Sequence, residues 1–361
     1  MGTQNIFHFR IKTQFENLGD ALINRELIAL LSRHGRVVVD ATHAPAEFVE
    51  TVIGSQDKPP LVVRQGPSFF LRIFWRCLVL RLTRAPGTVW LALNPGGNSG
   101  EISAATATKR RLRDLALRTL RLAGCKIALI GASFDNLGPR HAQRVAALSK
   151  IATLFSVRDS ISAQYCEQSG IRVTDIVPDL AFNLGGATAA SDRKPPADRA
   201  IAISMRKVPS GQLEARILQA LAQLDPDRAS LVHLCFQVKR DEEPQQRLRD
   251  FLANHGYRAE MADVSRSIRE TVEFYSRCEL VITNRLHVLL LAAHSGTLPM
   301  AYLEPDEGPK IRGILRDAGL ETLVVEDIET FRATSADTER IRIEMQRQRA
   351  ILEQKFSELF G

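Results

Sequence analysis

The strongest constraint on the fold is an alternation of two patterns along almost the whole sequence. Short apolar runs rich in β-branched residues alternate with longer segments whose apolar residues recur at helical spacing, as at 21–33. This alternation is typical of βαβ units, in which helices join parallel strands and cover their sheet. In the first half we predict strands at 6–11, 37–41, 61–64, 89–93, 127–131, 154–157 and 175–177.

A segment at 185–199 interrupts the alternation, because its glycine, alanine, proline and charged residues show no apolar period. The 361 residues also exceed the roughly 250–300 at which a single core stops growing. We therefore predict an α/β protein with two Rossmann-like, doubly wound domains, at 1–184 and 200–335, joined by this linker. In the second domain we predict strands at 201–205, 231–236, 280–283, 300–303 and 323–325, and helices at 213–224, 246–255 and 268–277.

A long helix is predicted after the second domain, at 336–361. Its apolar face consists of Ile341, Met345, Leu352, Phe356 and Leu359. An apolar face of this length has to pack on another surface. The sequence leaves two alternatives, which are the first domain and a second copy of the chain in a homo-oligomer.

Composition excludes several classes of protein. Hydrophobic residues at 45% and charged residues at 25% are ordinary globular proportions, unlike those of disordered or collagen-like chains. The five cysteines are scattered without CxxC spacing, which predicts neither a disulfide framework nor a zinc site. Because the first thirteen residues lack the apolar run of a signal peptide, we expect a cytoplasmic protein.

The positive charge is concentrated in the first half. Residues 1–184 hold 23 lysines and arginines against 14 acidic residues, a net charge of +9, whereas the whole chain carries +7. This asymmetry favours an anionic partner for the first domain, whether a phosphorylated substrate, a membrane surface or a nucleic acid. The aromatic content of 6% and the lack of an RNA-binding signature argue against nucleic acid.

The helix predicted from Phe69 to Arg84 is strongly basic, with Arg72, Arg76 and Arg84 in one sector. It is too short and too charged to span a bilayer. Two interpretations stay open: a core helix with an arginine-lined outer face, or an interfacial helix that brings the protein to a lipid-linked acceptor. A second basic segment at 109–121 is typical of a solvated helix face.

Ligands of doubly wound sheets bind beyond the carboxyl ends of strands, where helix N-termini attract anions. In the first domain, Asn17 and Asp20 follow the first predicted strand, and the glycine-rich stretch with Gly96 and Gly97 follows another. These residues are candidates for a binding loop or for a capped turn. Later, Arg158 and Asp159 form a charged pair that is equally typical of a surface salt bridge.

In the second domain, Arg206 ends the first predicted strand, and Asn284, Arg285 and His287 connect a buried strand to an apolar helix. A guanidinium matches a carboxylate or a phosphate with two parallel hydrogen bonds. A histidine beside it can transfer a proton near neutral pH. This junction is the strongest local signal of a functional site in the sequence.

These junctions, in this order, resemble those of the polysaccharide pyruvyltransferase family. The resemblance covers most of 14–320 and is carried by NLGDALI at 17–23, GG at 96–97, SVRD at 156–159, PDLAF at 178–182, SMR at 204–206, TNRLH at 283–287 and the lysine of EGPKIRGIL at 307–315. The stretch NPGGNSGE departs from the longer glycine run of many relatives. That departure puts the acceptor contacts of this loop in doubt.

The resemblance implies a fold like that of the two-domain GT-B glycosyltransferases, with an N-terminal acceptor domain and a C-terminal donor domain. It implies transfer of the enolpyruvyl group of phosphoenolpyruvate to a sugar of an exopolysaccharide or cell-surface glycan precursor, free or lipid-linked, with no metal or other cofactor. Arg206, Arg285 and His287 would be catalytic. Arg206, Arg285, Asn284 and Lys310 would bind the donor, and Asn17, Asp20, Gly96 and Gly97 would bind the acceptor.

Two alternatives remain at this stage. A nucleotide-sugar glycosyltransferase of the GT-B type would share the architecture and would consume a UDP- or GDP-sugar instead of phosphoenolpyruvate. A non-catalytic binding module could use the basic N-terminal half, and its binding would then fall steeply with salt.

Overall fold

The computed structural model describes residues 5–54, 56, 58–66, 68–185, 199–206, 212–238, 241–303, 308–325 and 335–361. Its contacts divide the chain into two compact units. The first comprises Met1–Phe15, Asp20–Asn183 and Arg349–Gly361, and the second comprises Glu16–Gly19 and Leu184–Gln348. The linker predicted at 185–199 falls mainly on 186–198, which lie outside the described residues.

The first unit is built on a parallel sheet with the strand order β3-β2-β1-β4-β6-β7-β8, and β5 pairs with β6 beside this row. Its strands are β1 (Asn5–Arg10), β2 (Gly35–Asp40), β3 (Leu61–Val63), β4 (Thr88–Leu93), β5 (Gly96–Gly100), β6 (Lys126–Leu137), β7 (Leu154–Val157) and β8 (Asp175–Ile176). The order reverses between β1 and β4, as in Rossmann-like sheets. Ligands of such sheets bind at this reversal.

Helices cover the sheet of the first unit. They are α1 (Leu18–His34), α2 (Ala46–Ile53), α3 (Phe69–Thr83), α4 (Ala104–Leu122), α5 (Pro139–Ile151) and α6 (Ser160–Gln168). Buried residues of α3, α4 and α5 form one core with β4, β6 and β7, in which Ile73, Leu117 and Ile127 are fully enclosed. Removing this apolar surface from water is the main force that holds the layer together.

The second unit repeats the architecture with the strand order β11-β10-β9-β12-β13-β14, again parallel throughout. Its strands are β9 (Ala200–Ser204), β10 (Leu231–Phe236), β11 (Arg258–Asp263), β12 (Leu280–Thr283), β13 (Leu298–Tyr302) and β14 (Val324–Val325). The helices are α7 (Gln212–Leu224), α8 (Glu242–Asn254), α9 (Ile268–Tyr275), α10 (Leu286–His294), α11 (Pro309–Asp317) and α12 (Ser335–Phe360). Here the strand order reverses between β9 and β12.

Most predicted elements agree closely with the structure, and four differ from it. Strand β6, predicted at 127–131, extends over Lys126–Leu137. Gly96–Gly100, predicted as a loop, is a strand, because its backbone pairs with the extended second half of β6. Arg258–Asp263 was not predicted, because this strand lies at the sheet edge and alternates charged with apolar residues. Helix α8 begins at Glu242 rather than 246, since two acidic residues open its first turn.

The final helix packs on the first sheet, which is the first of the two alternatives left open by the sequence. From Arg349 onward it belongs to the first unit. The Phe360 ring meets those of Phe7 and Trp90 edge-on, at centroid distances of 5.1 and 5.0 Å. The predicted apolar face was wrong at its end, because Phe360 is buried there and Leu359 is only half-buried.

Candidate functional site

In the second unit, candidate residues meet at the reversal of strand order. Strands β9 and β12 are neighbours whose last residues, Ser204 and Thr283, lie side by side in register. Arg206 and Arg285 each follow two residues after these partners. Arg206 and Arg285 are far apart in the sequence, but they follow neighbouring strands at the same edge of the sheet.

The amide of Asn284 joins the two strand ends. Its Oδ1 accepts a hydrogen bond from the backbone N–H of Arg206 at 2.6 Å, and its Nδ2 donates to the Arg206 carbonyl at 3.1 Å. This reciprocal pair fixes the backbone from which the exposed Arg206 side chain projects. Asn284 thus has a positioning role that its place in the motif did not reveal.

Arg285 forms an ion pair with Asp241, a residue that the sequence analysis did not single out. Both side chains are largely buried, with 12% and 10% of their surfaces exposed. The backbone N–H of Arg285 donates to Thr283 Oγ1 at 3.0 Å. The guanidinium is therefore held in a defined orientation at the N-cap of α10. With five N–H donors, it can serve a second anion besides Asp241.

The sequence carries a signal for Asp241, because polar residues at strand-to-helix junctions are candidates for a site. It follows β10, the strand next to β9, and it is the N-cap residue of α8. Asp241 was not predicted as a site residue, because the helix was predicted to begin at 246. With the helix beginning at Glu242, Asp241 lies at the strand-to-helix junction, the position at which the other candidate residues were identified.

His287 lies in the first turn of α10 and packs against the backbone of Gly19, which belongs to the same unit. A Cβ atom at position 19 would lie only 2.2 Å from Nδ1 of His287. Asn17 caps α1 at this point, since its Oδ1 accepts from the Gly19 N–H at 3.0 Å. The structure thus brings Gly19, from the first predicted motif, against His287 of the strongest one.

The floor beneath these groups is uncharged. Tyr275 is fully enclosed, and burial raises the pKa of its phenol well above the ordinary value, so that it stays neutral. Gln245 supports the end of β9, because its Nε2 donates to the Met205 carbonyl at 2.9 Å. The Arg285–Asp241 ion pair therefore lies beside neutral groups, and in such surroundings a hydrogen bond from the guanidinium to a bound anion is stronger than in water.

Lys310 lies in the first turn of α11, the helix that follows β13. Strand β13 is the neighbour of β12, so Lys310 leaves the sheet next to the Arg285 junction in strand order. The residues 304–307 just before it are outside the described part of the chain.

Three of the predicted acceptor residues, Asp20, Gly96 and Gly97, belong to the first unit and lie at its reversal of strand order, whereas Asn17 belongs to the second unit. The carboxylate of Asp20 accepts hydrogen bonds from Thr13 Oγ1 and from the backbone N–H of Gln14. Asn24, buried in α1, donates to the Asp20 carbonyl at 2.6 Å and accepts from Asn94 Nδ2 at 3.2 Å. Asn24 was missed, although an asparagine inside an apolar helical repeat is an available signal.

Gly96 and Gly97 open β5 two residues after Asn94. Gly96 has φ of 124°, a conformation in which only glycine is unstrained. A Cβ atom at this position would lie 3.6 Å from Cδ1 of Ile23, the residue of α1 before Asn24. The structure therefore gathers Asp20, the Asn94 loop and Gly96 around the start of α1.

A surface salt bridge was one of the two interpretations left open for Arg158 and Asp159, and it was wrong. Arg158 is buried and pairs with Asp179 at 2.6 Å, while its Nη2 donates to Ser133 Oγ at 2.8 Å. Asp159 instead caps α6, with Oδ1 accepting from the Ser162 N–H at 2.6 Å. These contacts tie β6, β7 and the 3₁₀ turn after β8 together, so the motif serves the fold.

Two kinds of feature are absent from the described residues. No group of histidine, cysteine and carboxylate side chains in the described ranges has the arrangement of a metal site. Within the same ranges, no helix combines the length and the apolar character needed to cross a bilayer.

Comparison with known proteins gives a family match. The family model described as polysaccharide pyruvyl transferase matches residues 17–297, which include every candidate residue except Lys310. A search of curated protein sequences finds no match.

Solved structures match the fold at low identity. A glycosyltransferase from Rickettsia africae has a TM-score of 0.60 at 9% identity, covering 100% of this chain and 98% of that one. An O-GlcNAc transferase mutant from Thermobaculum terrenum has a TM-score of 0.56 at 13% identity, and the match covers 99% of this chain but 66% of that enzyme. A UDP-GlcNAc 2-epimerase from Neisseria meningitidis has a TM-score of 0.54 at 11% identity, covering 97% and 94%. These likenesses confirm the predicted fold class, two Rossmann-like domains of the GT-B type.

Proposed function

Because the chain belongs to the polysaccharide pyruvyl transferase family, we propose that it transfers the enolpyruvyl group of phosphoenolpyruvate to a sugar of an exopolysaccharide or cell-surface glycan precursor. The product is a pyruvate ketal. The observation that carries the proposal is the junction of β9 and β12, where Arg206, Arg285 and His287 lie on two aligned strand ends.

Phosphoenolpyruvate needs cations at two points, because it carries a phosphate and a carboxylate. Arg206 and Arg285 supply two guanidinium groups, and each can hold an oxyanion with parallel N–H donors. The N-terminus of α10 adds a partial positive charge beside Arg285. We assign Lys310 as a further cation for the donor, from the first turn of α11.

Ketal formation proceeds by addition, elimination and a second addition. C3 of the enol gains a proton, which leaves C2 electron-deficient and open to attack by a first sugar hydroxyl. The C2–O bond to phosphate then breaks, and inorganic phosphate leaves with the bonding electron pair. A second hydroxyl adds to C2, and both hydroxyl protons are lost. The donor and the diol thus give one ketal, one phosphate and no net water.

We assign the proton transfer at C3 to His287. An imidazole can donate a proton near neutral pH, and this one lies in the first turn of α10, two residues after Arg285. Its contact with Gly19 restricts the ring to a narrow range of orientations. A fixed orientation of the imidazole favours a high rate, because displacement of a catalytic group by about 1 Å can lower the rate about 10²-fold.

For the acceptor we propose the first unit. Asp20 and the loop that contains Gly96 and Gly97 surround the start of α1, at the reversal of that sheet. A carboxylate and exposed backbone groups are suitable partners for sugar hydroxyls. Asn24 and Asn94 hold these elements together and act as positioning residues.

Product analysis tests the proposal. The full-length protein is incubated with phosphoenolpyruvate and a panel of glycosides, and products are examined by mass spectrometry and phosphate release. We expect a glycoside whose mass increases by one pyruvate less one water, with one phosphate released per product. Consumption of a UDP- or GDP-sugar, without use of phosphoenolpyruvate, would instead identify a glycosyltransferase.

A further inference from the structure

Two neighbouring helices of the first unit, α3 and α4, expose an unusual amount of apolar surface. In the described part of the chain, seven of the ten exposed large apolar side chains belong to them. On α3 they are Leu71, Trp75, Val79 and Leu82, and on α4 they are Leu112, Leu115 and Leu122. We call these residues, with the exposed cations of the same helices, the α3–α4 surface.

The exposed residues form a stripe on each helix, opposite the face that packs on the sheet. On α3 the exposed positions recur at intervals of three or four residues, while the buried positions Phe69, Ile73 and Cys77 occupy the other side. On α4 the exposed Leu112, Leu115 and Leu122 are spaced by one and two helical turns, and Leu117 and Leu120 are buried on the other side. Leu82 and Leu122 are 73% and 82% exposed. Contiguous apolar surface of this kind marks an interaction site.

The segments that contain these two helices carry a net charge equal to that of the whole first half of the chain. Residues 69–84 contain four arginines and no acidic residue, and residues 104–122 contain six basic residues and one acidic residue. Together they account for +9, which equals the net charge of residues 1–184. The one acidic residue, Asp114, is buried and lies near Arg144, at 3.6 Å. No carboxylate of these two helices faces solvent.

Cations flank the apolar stripes on both helices. At 100° per residue, Arg76 and Arg81 fall on opposite sides of the α3 stripe, and Lys109 and Arg118 do so on α4. All four are exposed. An apolar stripe bordered by cations is the pattern of helices that lie in the plane of a bilayer surface.

We propose that the α3–α4 surface binds a membrane that contains anionic lipids. Leucine and tryptophan side chains would enter the boundary of the acyl chains, and the arginines would meet the headgroup phosphates. This inference concerns only the first unit and does not depend on the chemistry assigned to the second.

Charge distinguishes a membrane from the other partners that this surface could take. A second copy of the chain would bring two surfaces of the same strong positive charge together, and like charges oppose association. Nucleic acid would neutralise the arginines but would leave the leucine stripes without an apolar partner, since its backbone is contacted mainly by polar and cationic groups. A membrane with anionic lipids matches both the charge and the apolar stripes.

Vesicle flotation is the first test. The full-length protein is mixed with vesicles of phosphatidylcholine alone, or of phosphatidylcholine with phosphatidylglycerol, at low and high salt. We expect flotation with the anionic vesicles at low salt and a marked loss at high salt, because salt screens exposed charges. No flotation, or equal flotation with both vesicle types, would overturn the proposal.

Trp75 reports directly on insertion. The chain has two tryptophans, and Trp75 is 55% exposed whereas Trp90 is buried. We expect anionic vesicles to shift the tryptophan emission to shorter wavelength, and Trp75→Phe to remove that shift while flotation is retained. A shift that survives in Trp75→Phe, or no shift on bound vesicles, would contradict insertion at this surface.

Charge reversal tests the cations. Each arginine near an anionic surface contributes roughly five-fold to affinity, so Arg76→Glu with Arg81→Glu should weaken vesicle binding at least about 25-fold. The matched control is Arg247→Glu with Arg277→Glu, two exposed arginines of the second unit, which should bind as the wild type does. Equal binding by both double variants would overturn the assignment to this surface.

Light scattering with Leu82→Ser separates a membrane from a second copy. The control is Ile343→Ser, an exposed residue of α12. We expect Leu82→Ser to weaken vesicle binding and to leave the oligomeric state unchanged. If it converted a dimer into a monomer, the surface would be a dimer interface and the proposal would be wrong.

Discussion

Arg285 illustrates how one side chain can serve both the fold and a ligand. Its pairing with Asp241 compensates its charge while the protein folds, because an uncompensated buried cation is costly. The pairing also orients the guanidinium before any donor arrives, which lowers the entropy lost on binding. Asn284 fixes the backbone of Arg206 through two hydrogen bonds, so it also orients an arginine before the donor binds. The residues of the site are thus held by neighbours that do not themselves need to touch the donor.

Loss of the imidazole tests the role of His287. We expect His287→Ala to lower kcat for transfer from phosphoenolpyruvate by ~10²–10⁴, the range for loss of a general acid. The control is His255→Ala, which removes an exposed imidazole outside the site and should leave kcat unchanged. Near wild-type kcat in His287→Ala would exclude this residue from proton transfer.

Gly19 tests the positioning of His287. A methyl group there would lie 2.2 Å from Nδ1, so Gly19→Ala should displace the ring and lower kcat ~10²-fold. In the His287→Ala background the same substitution should cost much less, because the imidazole atoms are gone and only a contact of 3.1 Å with the Cβ atom of residue 287 remains. Equal losses in both backgrounds would show that Gly19 acts through something other than His287.

At the scale of elements, the site depends on register. The ends of β9 and β12 are aligned, so two junctions that are separated by about eighty positions in sequence deliver their arginines side by side. The sequence could predict both strands and both junctions from apolar periodicity. It could not show the Asn284 bonds or the Asp241 pair, because these depend on which strands become neighbours.

Errors in the predicted elements have the same origin. Strand β5 contains three glycines in five residues and is held by its pairing with β6, a tertiary cause that local pattern does not contain. The sequence placed Arg158 in a functional or exposed pair, whereas its partner Asp179 lies 21 residues away on a different segment. The local sequence thus indicated that Arg158 has a particular role, but it could not indicate which residue Arg158 contacts.

Strand β1 carries a buried histidine that should make stability depend on pH. Burial, together with Arg72 and Arg76, lowers the pKa of His8 to about 4, from an ordinary value of 6.5. The unfolded chain therefore binds more protons between pH 6.5 and 4, and stability should fall as pH falls through this window. At its full extent the loss is about 3 kcal/mol.

His8→Leu isolates this contribution. The Nε2 atom of His8 has no hydrogen-bond partner among the described residues, so leucine leaves no polar group unsatisfied. Urea unfolding at pH 7.5 and pH 4.5 should show a smaller difference in the free energy of unfolding than the wild type shows. Some dependence should persist, because burial also lowers the pKa values of His34, His141 and His233. An unchanged difference would contradict the assignment.

At the scale of the whole molecule, the same strand order occurs twice, and candidate residues occupy the reversal in each sheet. The two-sheet architecture followed from alternation alone, and the family match and solved structures confirm its class. The part that the sequence left open was the last helix, whose apolar face fits more than one partner. Its packing on β1 and β4 resolves this, through Phe360.

The last turn of α12 should therefore be essential to the stability of the first unit. Phe360→Ala should lower the free energy of unfolding by about 3–5 kcal/mol, since it removes a buried ring from Phe7 and Trp90. Ile343→Ala, at an exposed position of the same helix, should change it by about 0.5 kcal/mol or less. Denaturant unfolding measures both, and equal small changes would contradict the packing described.

The central claim is that guanidinium groups at the ends of β9 and β12 bind phosphoenolpyruvate. Isothermal titration of phosphoenolpyruvate into the wild type, Arg206→Ala and the control Arg247→Ala measures this binding without chemistry. We predict binding to the wild type and to the control, and an affinity at least about 10-fold weaker in Arg206→Ala, as expected for loss of a charged hydrogen bond. Absence of binding to the wild type, or equal affinity in all three proteins, would contradict the claim.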